Sequence, residues 1–279
     1  MLRGTTLFTL TFSLTSLLLT SCSSGPKGPE PGTPAFYWQG AKETFAAKDY
    51  MKTLDNLDRA ARNAELAPQA SAWALIIDAG LIRGYSDLAD EFEMGARVNR
   101  NNPGAFRKQV SDYRRTARPL TLQLAERFLA FKKGTDAQVA LAFPFPAGTA
   151  SESPLQDKIA KGILPQASEL EDTQHAAISR GMVLAATEAS GAGSDTTKAQ
   201  ELFKAGDLKV PRATFTQAVG KALFNAAELF GPKKLDEPDR ARMFAENAKE
   251  ALKGAPDSKE MKAINEKIEK ILKDTKKPA

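Results

Sequence analysis

The sequence of 279 residues is poor in side chains that often act as nucleophile, base or metal ligand, since it contains one cysteine and one histidine. A single cysteine excludes an internal disulfide, and the two counts together exclude a zinc site built from several cysteine or histidine ligands. A glycine-rich phosphate loop, a Gly-x-Ser-x-Gly nucleophile elbow and a His-Glu-x-x-His helix are also missing. We therefore predict a protein that is not an enzyme and that holds no metal or cofactor.

The one histidine, His175, follows the acidic residues Glu171 and Asp172 by four and three positions. At this spacing the three side chains share one face of a helix. Without a second histidine they offer at most three metal ligands, so we interpret His175 as a surface residue rather than as a ligand or general base.

Long apolar segments are scarce, and the clearest one lies at the N-terminus. Leu7–Leu19 is uncharged but shorter than the roughly 20 residues that a helix needs to cross a bilayer, and Arg3 precedes it, which is typical of a signal peptide. The sequence Leu19-Thr20-Ser21-Cys22 then resembles the lipobox of bacterial lipoproteins. This resemblance implies that the signal peptide, 1–21, is cleaved between Ser21 and Cys22 and that Cys22 is acylated. The alternative is an ordinary secretory signal with a cysteine near its end.

The residues after the cysteine predict a tether. Segment 22–35 contains mostly Ser, Gly, Pro and charged residues, with too little apolar surface to order itself, so we expect it to be disordered. The several acyl chains that the lipobox resemblance implies would hold the protein stably on a lipid membrane, where one chain is marginal. Ser23 stands where an Asp commonly retains lipoproteins at the inner membrane. The expected location is therefore the cell envelope, at the periplasmic face of the outer membrane if the host has two membranes, and no nucleic acid is expected as a partner.

Four segments repeat a spacing of sixteen and then seven residues, followed by a proline. They are Tyr37, Thr53, Ala60 and Pro68; Trp73, Ala89, Ala96 and Pro103; Val183, Ala199, Gly206 and Pro211; and Asn225, Ala241, Ala248 and Pro256. The pattern resembles the tetratricopeptide repeat, in which a bulky side chain on one helix packs against small residues of the next. The resemblance implies turns at Lys48-Asp49-Tyr50 and at Gly84. It also implies an all-α fold, a right-handed array of antiparallel helix pairs; an irregular helical array without true repeats is the alternative.

This interpretation divides the mature chain into two helical regions, 36–133 and 166–274, separated by a Pro-rich segment, 134–165, and followed by a short tail, 275–279. The last helix, roughly Ser258–Asp274, carries its apolar residues on one stripe and its charges elsewhere. Such a helix is typical of the cap that closes a repeat array.

Phenylalanine and proline alternate in the Pro-rich segment at Phe143-Pro144-Phe145-Pro146, which excludes a helix there. Two exposed phenylalanines would form an apolar patch, so we favour a segment that packs inward as a plug over an exposed adhesive loop. Phe143 and Phe145 are candidates for lining a pocket or groove. A short helix, Gln156–Leu164, is expected to follow.

Basic residues are concentrated in one part of the chain, although the net charge is only +5. Seven of them, with Asp112 as the one acid, lie in segment 97–118: Arg97, Arg100, Arg107, Lys108, Arg114, Arg115 and Arg118. They predict a surface for an anionic partner, such as lipid headgroups, lipopolysaccharide phosphates or an acidic protein. The alternative is a solvated helix face whose arginine stems cover apolar neighbours.

Two functions remain open at this point. The first is a membrane-anchored, extracytoplasmic scaffold that binds an envelope protein or peptide, as tetratricopeptide proteins generally do. The second is a small-ligand-binding accessory lipoprotein of a solute-uptake system, in which Phe143 and Phe145 line an enclosed site. An open groove favours the first function, and a closed apolar pocket favours the second.

Overall fold

The computed structural model describes residues 28–275. The predicted signal peptide, Cys22 and most of the tether therefore lie outside the described residues, as does most of the tail. Within residues 28–275 the chain forms ten helices and two short strands, in the order α1 (Pro34–Ala46), α2 (Tyr50–Ala60), α3 (Ala67–Val98), α4 (Pro103–Phe131), β1 (Gln138–Leu141), α5 (Pro154–Ala160), α6 (Ala167–Ala189), α7 (Thr196–Lys204), β2 (Leu208–Pro211), α8 (Arg212–Leu229), α9 (Pro238–Ala251) and α10 (Lys259–Asp274). The predicted mainly helical fold is confirmed, and the two strands were not predicted.

The first helix begins earlier than the sequence indicates. Thr33 caps α1 by accepting a hydrogen bond from the amide of Phe36 (3.3 Å), and Pro34 occupies the first helical turn. Proline suits this position because its missing N–H would have no partner there. The end of the predicted tether is therefore part of α1.

The fold is built around α3, which contacts α2, α4, α5, α6, α8 and β1. Between Ala70 and Ile82 nearly all of its residues are buried, as expected for a helix that is apolar on all sides. Helices α4 and α6 run antiparallel to α3. Asp78, in the first half of α3, contacts Arg127 near the end of α4 (2.5 Å), while Arg83 contacts Glu188 near the end of α6 (3.1 Å).

Helices α3 and α6 cross with their backbones in contact, because glycine stands at the crossing on both helices. A Cβ on Gly84 would lie 2.8 Å from the Cα of Ile178. A Cβ on Gly181 would overlap the carbonyl oxygen of Gly80 and lie 2.8 Å from the amide nitrogen of Gly84. Since packed interiors leave no room for such overlap, any larger residue would push the two helices apart.

The turn predicted at Gly84 is wrong, because Ala67–Val98 is one continuous helix. Gly84 allows the close contact with α6 and does not reverse the chain. Trp73 and Ala89 consequently lie on the same helix, about 24 Å apart along its axis, and cannot form the repeat contact predicted between them.

The other turn predicted from the repeat pattern is confirmed. Helices α1 and α2 pack as a hairpin, Lys48 adopts a left-handed conformation with φ of 62°, and Asp49 caps α2 through the amide of Lys52 (3.2 Å). In the last repeat segment, α8 and α9 pack against each other across the loop 230–237. In the third, α6 is followed by the short helix α7 and then by β2.

The Pro-rich segment packs inward at Phe143. This side chain is 2% exposed and stacks on Trp73, with ring centroids 4.8 Å apart. Phe45 and Trp38 of α1 complete the aromatic cluster, with ring centroids 5.2 and 5.1 Å from that of Phe143. The cluster fastens the segment to α1 and α3, and the helix expected after it is present as α5, which ends at Ala160.

The two strands join distant parts of the chain. β1 lies in the Pro-rich segment and β2 in the C-terminal half, and they pair antiparallel with Val139 opposite Val210. Both valines are buried, and β1 packs against α3. One apolar core, which includes Leu54 from the first helical region and Phe230 from the second, extends through both regions.

The predicted last helix is confirmed as α10. Ser258 caps it through the amide of Met261 (3.1 Å), and Met261 and Ile268 are buried where α10 packs on α9. Among the helices of residues 28–275, none has the length and hydropathy to span a membrane.

We expect Gly181→Ala to destabilise the protein by about 1 to 3 kcal/mol, because its methyl group overlaps the backbone of α3. The matched control is Gly104→Ala. Gly104 lies in the first turn of α4 with nothing near its Cβ position, so alanine should leave stability unchanged or raise it by up to about 1 kcal/mol. Urea unfolding of both variants measures the difference, and equal stabilities would contradict the backbone contact.

Candidate binding cleft

A cleft of about 740 Å³ lies beside the crossing of α3 and α6. Leu81 and Tyr85 of α3 and Ile178 and Ser179 of α6 line its inner surface. One wall is the turn between α1 and α2, and the other is the loop 148–153 before α5. The cleft therefore exists only because four separate parts of the chain come together: α3, α6, the turn between α1 and α2, and the loop 148–153.

The lining of the cleft combines apolar surface with hydrogen-bonding groups. Burial raises the pKa of Tyr50 to about 12 and also raises the pKa of Tyr85, so both phenols stay protonated at neutral pH. Neither hydroxyl has a hydrogen-bond partner within residues 28–275. Loop 148–153 adds the hydroxyls of Thr149, Ser151 and Ser153. Such a surface suits a ligand that brings both apolar groups and hydrogen-bond acceptors, as a peptide backbone does.

Arg180 of α6 holds the loop wall in place. Its Nε donates a hydrogen bond to the carbonyl oxygen of Ala150 (3.2 Å). Its guanidinium also forms ion pairs with Glu152 in the loop (3.4 Å) and with Asp87 on α3 (3.3 Å). Because the Arg180 side chain is only 18% exposed, these contacts are less screened by water than surface pairs are.

Glu91 of α3 supports the start of α5 behind the same wall. One of its carboxylate oxygens accepts a hydrogen bond from Gln156 (3.0 Å), and Gln156 forms a capping box with Ser153. The other oxygen is buried, with no hydrogen-bond partner in the described part of the chain. Desolvation, and then the charge of Asp87, raise the pKa of Glu91 to about 7. The contact between α3 and α5 therefore carries a carboxyl group that titrates near neutral pH.

The opposite wall presents an exposed apolar side chain at the mouth of the cleft. Met51, in the first turn of α2, is 56% exposed and lies next to Tyr50 on the lining. Methionine is flexible and polarizable, and it is common at surfaces that adapt to a bound partner. Its position favours a cleft that receives part of another molecule.

The other sequence-predicted candidates lie at the edge of the cleft or away from it. His175 is exposed and is one of the residues that line the cleft. Within residues 28–275, no group of three His, Cys, Asp or Glu side chains is arranged to hold a metal ion. Phe143 and Phe145 border a separate surface depression, where Phe145 contacts Phe203 of α7 with ring centroids 5.4 Å apart.

Most of the predicted basic patch is paired with acids. Lys108 and Arg115 each contact Asp112 at 2.8 Å. Arg118 contacts Glu237, in the loop before α9, at 2.7 Å. Hydrogen bonds from these cations, Lys108 for the first acid and Arg118 for the second, lower the pKa values of Asp112 and Glu237.

Two further members of the patch bind an acid in the C-terminal half of α3. Arg97 and Arg114 both bind the carboxylate of Glu93. Arg100 and Arg107 form no ion pair with any described residue. The charge of segment 97–118 is thus partly neutralised by acids that lie outside the segment, on α3 and in the loop before α9.

Sequence reasoning missed the cleft. Tyr50, Tyr85 and Arg180 stand in ordinary helical segments far apart in the chain, and no local pattern marks them as neighbours. The one signal was the run of small hydroxyl residues in segment 148–153, whose composition alone indicates a linker.

We expect Glu91→Gln to stabilise the protein at pH 8 by about 1 to 2 kcal/mol and to leave stability unchanged near pH 4. Because the pKa of Glu91 is raised, the folded state holds a proton that the unfolded chain has released, and stability falls as the pH rises through about 7. Glutamine cannot ionise, so the variant does not lose this stability as the pH rises. Burial also raises the pKa of Asp87, so the stability of the variant still falls with rising pH, but less steeply. Urea unfolding across this pH range measures the effect; a difference independent of pH would contradict it.

Comparison with known protein families, with curated proteins and with solved structures found no match to this chain. The function is therefore inferred from the geometry and the sequence of this protein alone.

Proposed function

We propose that this protein is a lipid-anchored, extracytoplasmic helical lipoprotein that binds a segment of another envelope protein in the cleft beside α3 and α6. The observation that carries the binding function is the cleft itself. Its two walls are built by separate parts of the chain, and its phenols have no hydrogen-bond partner among residues 28–275. We propose no catalytic step and no cofactor, and we regard the fold as a degenerate array of helix pairs in which the single long helix α3 replaces the second predicted pair.

The anchoring part of the proposal rests on the sequence before the folded unit. Cys22 is the only cysteine of the chain, and it occupies the acceptor position of the lipobox-like Leu19-Thr20-Ser21-Cys22. Eight residues, from Cys22 to Pro29, precede the turn that Glu30 and Thr33 close before α1, and in extended form they would reach about 25 Å at 3.1 Å per residue. Such a tether would let the cleft face a partner away from the bilayer surface.

The cleft favours a protein segment over a small solute as its occupant. It is open at the surface and lined by Tyr, Ser and Thr, whereas sites for small molecules are mostly enclosed and apolar. An extended peptide would place carbonyl groups near the phenols of Tyr50 and Tyr85 and an apolar side chain against Leu81 and Met51. The alternative, a small-ligand carrier of a solute-uptake system, would require the separate depression beside Phe143 and Phe145.

We expect Cys22→Ser to abolish labelling of the protein by an alkyne-bearing fatty acid in cells and to leave the signal peptide attached, because the acylated cysteine is the residue at which lipoprotein cleavage occurs. Ser24→Ala, outside the lipobox-like sequence, serves as the control and should be labelled and processed normally. Gel mobility and click detection measure both. Normal processing of Cys22→Ser would indicate an ordinary secretory signal instead.

We expect a photo-crosslinking amino acid at Met51 to form a discrete adduct in native host cells, and the same amino acid at Met243 to form none. Both methionines are exposed, but Met243 lies on α9, away from the cleft. Adding Ser179→Trp, which fills the cleft, should remove the Met51 adduct. Equal crosslinking from both positions, or an adduct that survives Ser179→Trp, would show that the cleft is not the binding surface.

A further inference from the structure

A second groove, of about 430 Å³, lies between α3, α4 and the loop 230–237 that joins α8 to α9. Arg107 and Arg114 reach it from α4, Arg97 from α3 and Lys234 from the loop. The two α4 arginines are seven residues apart, which places them two turns apart on one face of the helix. No residue of this groove lines the cleft described above.

Cations outnumber acids in the groove. Glu93, the one acid that lines it, binds Arg97 at 2.6 Å and also binds Arg114. Asp90, beside the groove on α3, binds Lys234 at 2.8 Å. Arg107 has no ion pair within residues 28–275. Four positive charges thus meet two negative ones, which leaves a net charge of about +2 for a ligand to neutralise.

Arg114 is the most buried of the four cations that line this groove. Its side chain is only 10% exposed, and its Nε is buried with no hydrogen-bond partner in the described part of the chain. A buried donor without an acceptor is costly, and native proteins leave few of them. An anionic oxygen entering the groove would meet a guanidinium that is already held in place by Glu93 and by the packing of α3 against α4.

We propose that this groove is a binding site for a phosphoryl group, carried by a small phosphorylated molecule or by a phospholipid headgroup. Guanidinium groups offer paired N–H donors that match phosphate oxygens, and three arginines converge here with one lysine. A phosphate monoester, with a charge near −2 at neutral pH, balances the surplus of two positive charges, and a phosphodiester headgroup neutralises about half of it. The volume of the groove lies in the range of small-molecule sites, so it has room for a phosphoryl group together with part of the molecule that carries it.

The position of the groove distinguishes it from the membrane anchor. Tyr37 of α1 contacts Arg59 at the end of α2 (3.3 Å), so the tether joins the fold near the start of α3. Glu93 and Arg97 lie about 40 Å further along the axis of α3. The site is therefore at the end of α3 opposite to the tether, and the proposal stands whether or not Cys22 is acylated.

The test is isothermal titration of the full-length protein in detergent with inorganic phosphate, pyrophosphate and glycerol 3-phosphate, at constant ionic strength set with sodium chloride. We expect saturable binding of at least one probe. Arg107→Gln should weaken it about tenfold or more, because a charge-assisted hydrogen bond is lost. Arg107 has no ion pair or side-chain hydrogen bond among the described residues, so thermal melts without ligand should match the parent.

The matched control is Arg100→Gln, which removes the same charge from an exposed arginine that does not line the groove. It should bind the probes as the parent does. Titration with mixed micelles of the same detergent and phosphatidylglycerol separates the two sources. Micelle binding that Arg107→Gln weakens assigns the site to lipid headgroups, whereas binding of the soluble probes alone assigns it to soluble phosphates. Failure of all three probes and of the micelles to bind at millimolar concentration, or equal weakening by Arg107→Gln and Arg100→Gln, would overturn the proposal.

Discussion

The backbone contact between α3 and α6 is the constraint on which the rest of the structure depends. Gly80 and Gly84 on one helix and Gly181 on the other remove the side chains that would hold the axes apart. The short distance between α3 and α6 brings together the residues that line the inner surface of the cleft. Leu81, Tyr85, Ile178 and Ser179 lie within one turn of the glycines, so the cleft lining is positioned by the crossing.

Two buried acidic side chains of α3, Asp78 and Glu91, are the second feature that positions the surrounding helices. Asp78 is fully buried and binds Arg127 of α4, and desolvation raises the pKa of Asp78 to about 7. Glu91 holds α5 through the hydrogen bond that it accepts from Gln156, and its carboxylate also pairs with Arg180 of α6 at 3.7 Å. Buried pairs of this kind contribute little net stability, but separating either partner is costly, so they fix the register of α4 and α5 along the central helix. The cleft wall and the groove both rely on that register.

The two proposed sites use different chemistry at different places. The cleft offers neutral phenols, hydroxyls and an exposed methionine, which suit a peptide segment, whereas the groove offers guanidinium groups, which suit an anion. The tether is predicted to join the fold near the start of α3, and the groove lies at its far end. An anchored protein of this shape could hold a protein partner and a phosphorylated ligand at the same time, since the two sites share no lining residue.

The sequence alone determined the features that depend on neighbouring residues: the helical class, the α1–α2 turn at Lys48-Asp49-Tyr50, the helix-free run around Phe143 and the charged back of α10. The lipobox-like sequence at Cys22 stays a prediction. Local propensity, capping and hydrophobic pattern act over a few residues and are visible in a string of letters. Only the tertiary structure decided that Gly84 lies inside a long helix and that Glu93 and Glu237 partly neutralise the basic patch. Those outcomes depend on contacts between residues far apart in the chain, and no local pattern encodes which helix face meets which.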